Sequence, residues 1–273
     1  MRLLALCVPV LAYAAYASPL LGGEPPAWSK DLPRIKTSAP VLQFNGKDLA
    51  GFYTYLKASK YEDPKQVFTV KDGVIRVSGE DWGGFATRDE FSDYHLIVEW
   101  KWGTKTWAPR AKAARDSGIL LHCVGADGLA GGQWMESQEC QIIEGGCGDL
   151  LMVGGKGKPR LTCETRVGPD KQLYFDKGGK PVTQNAGRYN WWGRDPKWTD
   201  TIGYRGPDDV ESPTGEWNRM EVICQGDMIT NVVNGKVVNI GTNSSLTKGK
   251  IMFQSEGAEI FFRKIEIRPL VKP

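Results

Sequence analysis

The sequence predicts an all-β chain, a β-sandwich or jelly roll of two antiparallel sheets. Three observations predict it. Short apolar runs recur with the period-two alternation of strands that bury one face. Turn residues punctuate them: the 273 residues include 33 glycines and 16 prolines, and such spacing favours short strands over long helices. Helical periodicity is absent, apart from a short turn around Pro109–Arg115.

The elements follow in order from Val41. Gln66–Val70 and Val74–Val77 flank Lys71-Asp72-Gly73, where Asp-Gly signals a hairpin. Tyr94–Trp102 alternates, with Tyr94, Leu96, Val98 and Trp100 on one face and His95, Ile97, Glu99 and Lys101 on the other. Ser117–Val124 and Ser137–Ile143 are two further strands, and Trp217–Cys224 pairs with Met228–Val233. Asn234-Gly235 then makes a type I′ turn into Lys236–Ile240, and Lys250–Ser255 and Glu259–Arg268 close the pattern. No internal repeat stands out, which argues against a propeller. The stretch Pro181–Pro213 breaks the rhythm. It is long, polar and aromatic, and a loop of that length in a compact domain is expected to be functional.

Three segments are expected. Residues 1–17 read as an export signal: Arg2, an apolar run from Leu3 to Tyr13 too short to span a bilayer, and the small-x-small pattern Ala15-Tyr16-Ala17. The expected location is periplasmic or extracellular. Residues 18–40, rich in Pro and Gly, read as an extended arm, and residues 41–273 as one β-sandwich domain. No other run approaches the roughly 18 apolar residues of a membrane-spanning helix, so no membrane span is expected.

Composition excludes several functions. Lys+Arg (35) nearly balance Asp+Glu (32), a net charge of +3. That excludes a nucleic-acid binder working by phosphate neutralisation. A hydrophobic fraction of 41% argues against disorder. His95 and His122 are the only two histidines, which excludes a three-histidine zinc site. Five cysteines follow Cys7: Cys123, Cys140, Cys147, Cys163 and Cys224. Their spacing fits no zinc ribbon, and Cys147–Cys163 is the disulfide expected from loop proximity. There is no G-x-S-x-G, Walker A, G-x-G-x-x-G or H-E-x-x-H motif.

Four constellations carry chemistry. The first is Glu139-Cys140-Gln141-Ile142-Ile143-Glu144. A regular strand puts Glu139, Gln141 and Ile143 on one face; a bulge near Ile142 or Ile143, eased by Gly145-Gly146, would bring Glu144 to the same side. Paired carboxylates raise each other's pKa and suit acid–base work. The bland reading is a solvated strand end. The second is Asp116-Ser117-Gly118-Ile119 running to His122, with Asp116, Gly118, Leu120 and His122 expected on one face beside Glu139. The third is Gln254-Ser255-Glu256, where Gln254 and Glu256 would share a cavity. The fourth is aromatic: Tyr189, Trp191, Trp192 and Trp198, expected to form a flap whose rings stack on a sugar.

These residues resemble a known family. Phe44-Asn45-Gly46-Lys47-Asp48-Leu49, Asp116-Ser117-Gly118-Ile119, Glu139-x-Gln141-Ile142, Gly215-Glu216-Trp217-Asn218, Asn234-Gly235, Gln254-x-x-Gly257 and Phe262-Arg263-Lys264-Ile265 occur in the order seen in the 3-keto-disaccharide hydrolase family. Asp116 stands where that family usually has Asn, and His122 where many members carry Arg. The resemblance covers residues 40–270. It implies a concanavalin A-like sandwich and a secreted bacterial enzyme that cleaves glycosides oxidised at C3. In that chemistry a base takes the C2 proton, the enolate expels the C1 oxygen, and water adds to the double bond. Glu139 or Glu144 would be base and acid, and His122 or Arg88 would support the enolate oxygen. No cofactor is implied, although a divalent metal on carboxylates could take that last role. Two alternatives stay open. Glu139-x-Gln141-x-x-Glu144 has the spacing of retaining β-glucanases, with Gln for the central Asp. A non-catalytic carbohydrate-binding module is the other.

Overall fold

The computed structural model describes residues 24–154 and 159–271. The expected export signal lies outside the described residues. Strands are numbered along the chain, and all their pairings are antiparallel.

The larger, eleven-stranded sheet runs β11 (Leu173–Phe175), β10 (Leu161–Val167), β16 (Lys236–Thr242), β15 (Met228–Val233), β14 (Asn218–Gln225), β6 (Tyr94–Thr106), β18 (Ala258–Pro269), β4 (Val74–Val77) and β3 (Phe68–Lys71). β1 (Leu42–Gln43) adds to β18, and β12 (Lys180–Gln184) to β10. The seven-stranded sheet runs β13 (Gly187–Tyr189), β9 (Leu150–Val153), β8 (Glu136–Ile143), β7 (Asp116–Val124), β17 (Lys250–Ser255), β5 (Gly83–Thr87) and β2 (Phe52–Leu56). This is the expected β-sandwich of two antiparallel sheets.

The core forms between the sheets, as the alternation requires. β6 contributes Tyr94, Leu96, Val98, Trp100 and Trp102, and β18 contributes Ile260, Phe262, Ile265 and Ile267. They meet Ile119, Leu121, Cys140, Ile142 and Phe253 of the smaller sheet. Each such large apolar side chain stabilises the fold by about 1.5–3 kcal/mol through burial. The two hairpin turns have the backbone the sequence asks for: φ is positive at Asp72 (51°) and Gly73 (77°), and at Asn234 (47°) and Gly235 (76°).

Three expectations are corrected. The cysteines Cys123, Cys140, Cys147, Cys163 and Cys224 are all buried free thiols, so the Cys147–Cys163 disulfide is not formed. Packing in the core satisfies them without cross-linking. The aromatic stretch after Pro181 does not form a flap over a cleft. It supplies β12 and β13, and its Tyr189, Trp191 and Trp192 enter the core. Apolar ring area next to an open sheet edge gains more from burial there than from exposure in a loop. The third correction concerns a bulge. None interrupts β8 between Glu139 and Ile143; the register shift lies in β7, between Leu121 and Val124.

Candidate active site

The outer face of the seven-stranded sheet carries the candidate site. Cross-strand register builds it. Leu120 lies opposite Glu139, and Gly118 opposite Gln141. Phe253 pairs with Ile119, which sets Gln254 beside Gly118. On the far side of β8, Leu151 lies opposite both Glu139 and Arg188. Since Ile119, Leu121, Cys140 and Ile142 point into the core, their neighbours Gly118, Glu139 and Gln141 point outward. Gly118 is required here: a Cβ would stand 2.1 Å from Glu139 Oε1 and 2.4 Å from Gln254 Oε1. The two side chains converge over the space that the missing side chain leaves.

The outward residues are nonetheless buried. Asp116 is 5% exposed and Glu139 4%, and Gln254 is fully enclosed. Loops roof them. Arg110, in the β6–β7 connection, places Nη2 3.1 Å from Asp116 Oδ2. The same guanidinium is gripped by Asp200, at 3.0 Å and 3.3 Å. Glu256 follows β17 in the turn to β18. Arg188 of β13 reaches Asp149 at 3.0 Å, and its charge acts on Asp116, Glu139 and Glu256 alike.

Three carboxylates thus lie within electrostatic reach of one another, Asp116 and Glu139 buried and Glu256 half-buried. Burial is the main cause that pushes Glu139 up to about 8; the charge of Asp116 adds to it, and that of Arg188 pulls it down. Burial pushes Asp116 up to about 7, with Arg110 the strongest opposing influence. Burial raises Glu256 well above the ordinary carboxylate range, and the charges of Asp116 and Glu139 raise it further. Their protons belong to the trio as a whole. Near neutral pH the pocket therefore holds ionised and protonated carboxyl groups together, a proton acceptor beside a proton donor. Glu139 Oε1, Asp116 Oδ1 and both polar atoms of Gln254 are buried without a hydrogen-bond partner among the described residues. Such atoms are costly unless a ligand or water meets them. Among the described residues no group of three or more His, Cys, Asp or Glu is disposed to hold a metal ion.

The structure separates the remaining expected residues from this pocket. Glu144 is buried in a different set of contacts: Arg115 Nη1 at 2.6 Å, and the backbone N–H groups of Arg115 (2.9 Å) and Gly203 (2.7 Å), all donate to its carboxylate. It pins the 195–205 loop to the start of β7, and three donors, one of them a guanidinium, hold it there as a structural ion pair. The Glu139–Glu144 pairing is therefore corrected, and with it the spacing shared with β-glucanases loses its meaning. His122 is corrected too. It sits in the β7 bulge with φ +51°, which turns its ring inward against Tyr94, centroids 5.5 Å apart. Burial lowers its pKa to about 4, so it is neutral. Arg88 is exposed beyond the end of β5 and lines a groove with Tyr53 and Tyr61. Tyr189 is tied by its hydroxyl to Leu161 O (2.9 Å) and Val182 O (2.8 Å). Trp192 donates to Val237 O at 3.0 Å.

Other aromatic rings take the rim. Trp134 packs on Leu120, Met252 and Ala86 of the same outer face and donates to Gly83 O at 3.3 Å. Trp82 stacks on it, 5.9 Å between centroids at 25°. Sequence reading missed Trp82, Trp134, Arg110 and Arg188. Trp82-Gly83-Gly84, a Trp before two glycines, was the one local signal for a ring beside a close backbone approach.

The profile of the 3-keto-alpha-glucoside-1,2-lyase-like domain family matches residues 40–268. The chain belongs to this family. Membership places it among carbohydrate-active enzymes. No curated protein matches the chain. Similar solved structures include a candidate glycosyl hydrolase of Parabacteroides distasonis, 20% identical over 87% of this chain and 100% of that one, with TM-score 0.47. Others are the carbohydrate-binding module CBM66 of Bacillus subtilis (8%, covering 80% and 95%, TM-score 0.44) and a β-glucanase of Bacillus licheniformis (11%, covering 87% and 100%, TM-score 0.44).

Proposed function

We propose that the protein cleaves the glycosidic bond of glycosides already oxidised at C3, by elimination and then hydration. The observation that carries this reading is the trio Asp116, Glu139 and Glu256, the first two buried and the third half-buried, all under the charge of Arg188 and the first and third also under that of Arg110. A C3 ketone acidifies the neighbouring C2–H. An ionised carboxylate of the trio takes that proton, and the electron pair moves into an enolate. The enolate re-forms the ketone as the C1–O bond breaks, and a protonated carboxyl gives its proton to the departing oxygen. Water then adds across the C1–C2 double bond, with the hydroxyl going to C1 and the proton to C2. The net change is hydrolysis.

Roles follow from surroundings. Glu139, whose Oε1 is buried without a partner among the described residues, is assigned to proton transfer. Asp116, held by Arg110, is the member most readily ionised. Arg188, or a protonated carboxyl, is suited to hydrogen-bond the enolate oxygen. Gln141 and Gln254 offer amides to sugar hydroxyls, and the Trp82–Trp134 pair a flat apolar surface to a sugar face. The export signal expected at residues 1–17 would place this activity outside the cytoplasm.

The test is to incubate the protein with an aryl glucoside and with its 3-keto derivative and follow aglycone release. Release from the keto compound alone, lost in Glu139→Gln, supports the reading. Release from the unoxidised glucoside at a comparable rate would overturn it in favour of direct glycoside hydrolysis.

A further inference from the structure

The face of the molecule opposite this pocket has its own pattern. On the outer side of the larger sheet, Thr69 pairs with Arg76, Arg76 with Phe261, and Phe261 with Lys101. Asn218 pairs with Trp100, so Trp217 comes next in the same row. The row crosses β3, β4, β18, β6 and the entry to β14 in a straight line. Its members face solvent because their neighbours Ile75, Trp100, Trp102, Ile260 and Phe262 face the core.

An outer sheet face is usually polar. This row instead alternates cation and ring, and it lines a groove of about 370 Å³. Lys101 Nζ lies 5.0 Å from the centroid of the Trp217 ring and 5.8 Å from that of Phe261. The charges around it are of two kinds. Arg76 is paired with Glu259 at 2.8 Å, and Arg263 with Glu99 at 2.7 Å. Lys101 and Lys71 have no ion-pair partner among the described residues, against a single acidic neighbour in the groove, Asp72. Contact with a ring stabilises an exposed ammonium by only about 0.5–1 kcal/mol. Lys101 is therefore held in place and still open to an anion.

We propose that this groove is a second glycan-binding surface, taking a chain of uronic acid residues with its sugar faces on Trp217 and Phe261 and its carboxylates on Lys101 and Lys71. Neighbouring strands lie about 4.8 Å apart, close to the length of one sugar unit in an extended chain, so successive row positions meet successive sugars. Nucleic acid fits poorly, because the chain as a whole carries only +3. The surface and the carboxylate trio occupy the outer faces of opposite sheets. Binding here would tether the enzyme to an acidic polysaccharide and leave its pocket free.

Calorimetric titration of the whole protein with hexagalacturonate and with cellohexaose tests this. The acidic hexamer is expected to bind and the neutral one to bind far more weakly. Lys101→Gln should cost about tenfold in affinity, the scale of one charge-assisted contact, and Trp217→Ala at least as much. Trp217→Phe keeps the packing should Trp217→Ala fail to fold. Glu139→Gln should leave the affinity unchanged, which separates this surface from the proposed active site. Absence of hexagalacturonate binding, equal binding of cellohexaose, or binding lost in Glu139→Gln but kept in Lys101→Gln would overturn the proposal. So would binding of phosphatidylserine vesicles without binding of the hexamer.

Discussion

Glu139 and Gln254 meet over a residue that has no side chain: their Oε1 atoms would stand 2.1 Å and 2.4 Å from a Cβ at Gly118. The pocket between them exists because β7 carries glycine at that register position. Gly118→Ala is therefore expected to displace both side chains and cost the proposed 3-keto-glycoside cleavage about 100-fold, the scale of a misplaced reacting group. Circular dichroism and the cleavage assay on the same sample check it. A folded Gly118→Ala protein with full activity would remove Glu139 and Gln254 from the site.

The carboxylate trio also makes stability depend on pH. Burial and the charge of Asp116 push Glu139 up to about 8 in the fold against an ordinary 4.5. The folded chain thus holds this proton more tightly than the unfolded one. That contribution is complete below pH 4.5 and is lost as pH rises through 8. Glu139→Gln keeps the shape without the charge, so it should match the wild type in Tm at pH 4 and exceed it at pH 9. A gain of roughly 2–4 °C per kcal/mol recovered is expected for a chain of this size. Thermal unfolding at both pH values checks it; equal Tm at pH 9 would show that Glu139 is not strained by ionisation.

Legibility in the sequence followed the physics of each element. The strand Tyr94–Trp100 was readable because one face is core and the other solvent, and the hairpin turns because Asp72-Gly73 and Asn234-Gly235 demand positive φ. β5 was not readable. All five of its residues are buried, and it contains glycines because a Cβ at Gly83 or Gly84 would meet the backbone oxygens of Tyr55 (2.1 Å) and Phe253 (2.4 Å). Glycine there reports close backbone approach, which one sequence cannot distinguish from a turn. In the site, Asp116, Glu139, Gln141 and Gln254 share one outer face, since simple alternation governs them, and Glu256 joins them from the turn after β17. His122 escapes because a bulge resets the alternation just before it. Glu144 and Arg110 escape because their partners, Gly203 and Asp200, lie in an irregular segment far along the chain.

His122 gives the opposite pH dependence from the trio. Its folded pKa is about 4 against an ordinary 6.5, because burial disfavours the imidazolium. The unfolded chain takes up the proton first as pH falls. Its contribution is thus full above pH 6.5 and is lost between 6.5 and 4, about 3 kcal/mol across that window. His122→Leu should flatten the acid side of the stability curve and leave cleavage at neutral pH intact. Urea unfolding at pH 7 and pH 4.5 reads the first, and the aglycone assay the second. A large loss of kcat in a folded His122→Leu protein would return the imidazole to the reaction.

The tryptophans after β13 make the sharpest distinction between packing and binding. Trp191 is 1% exposed and Trp192 8%. Their rings lie 5.1 Å apart at 77°, and Trp28 meets Trp192 edge-on at 6.2 Å. Together they close the sandwich where the 24–41 segment, β11 and the β13 end converge. Trp192→Ala leaves a cavity and strips Val237 O of its indole donor, so it should destabilise the fold by about 3–5 kcal/mol. A ring that only packs has no differential contact with substrate or transition state, so KM and kcat of the folded fraction should stay within about twofold. Trp134→Ala should behave in the reverse manner, with KM rising and stability changing less, because that ring is partly exposed on the outer face beside Gly83. Denaturation midpoints and initial rates on one set of samples decide between the two. A raised KM in Trp192→Ala with an unchanged midpoint would move the substrate surface from the Trp82–Trp134 pair to the far side of the sheet.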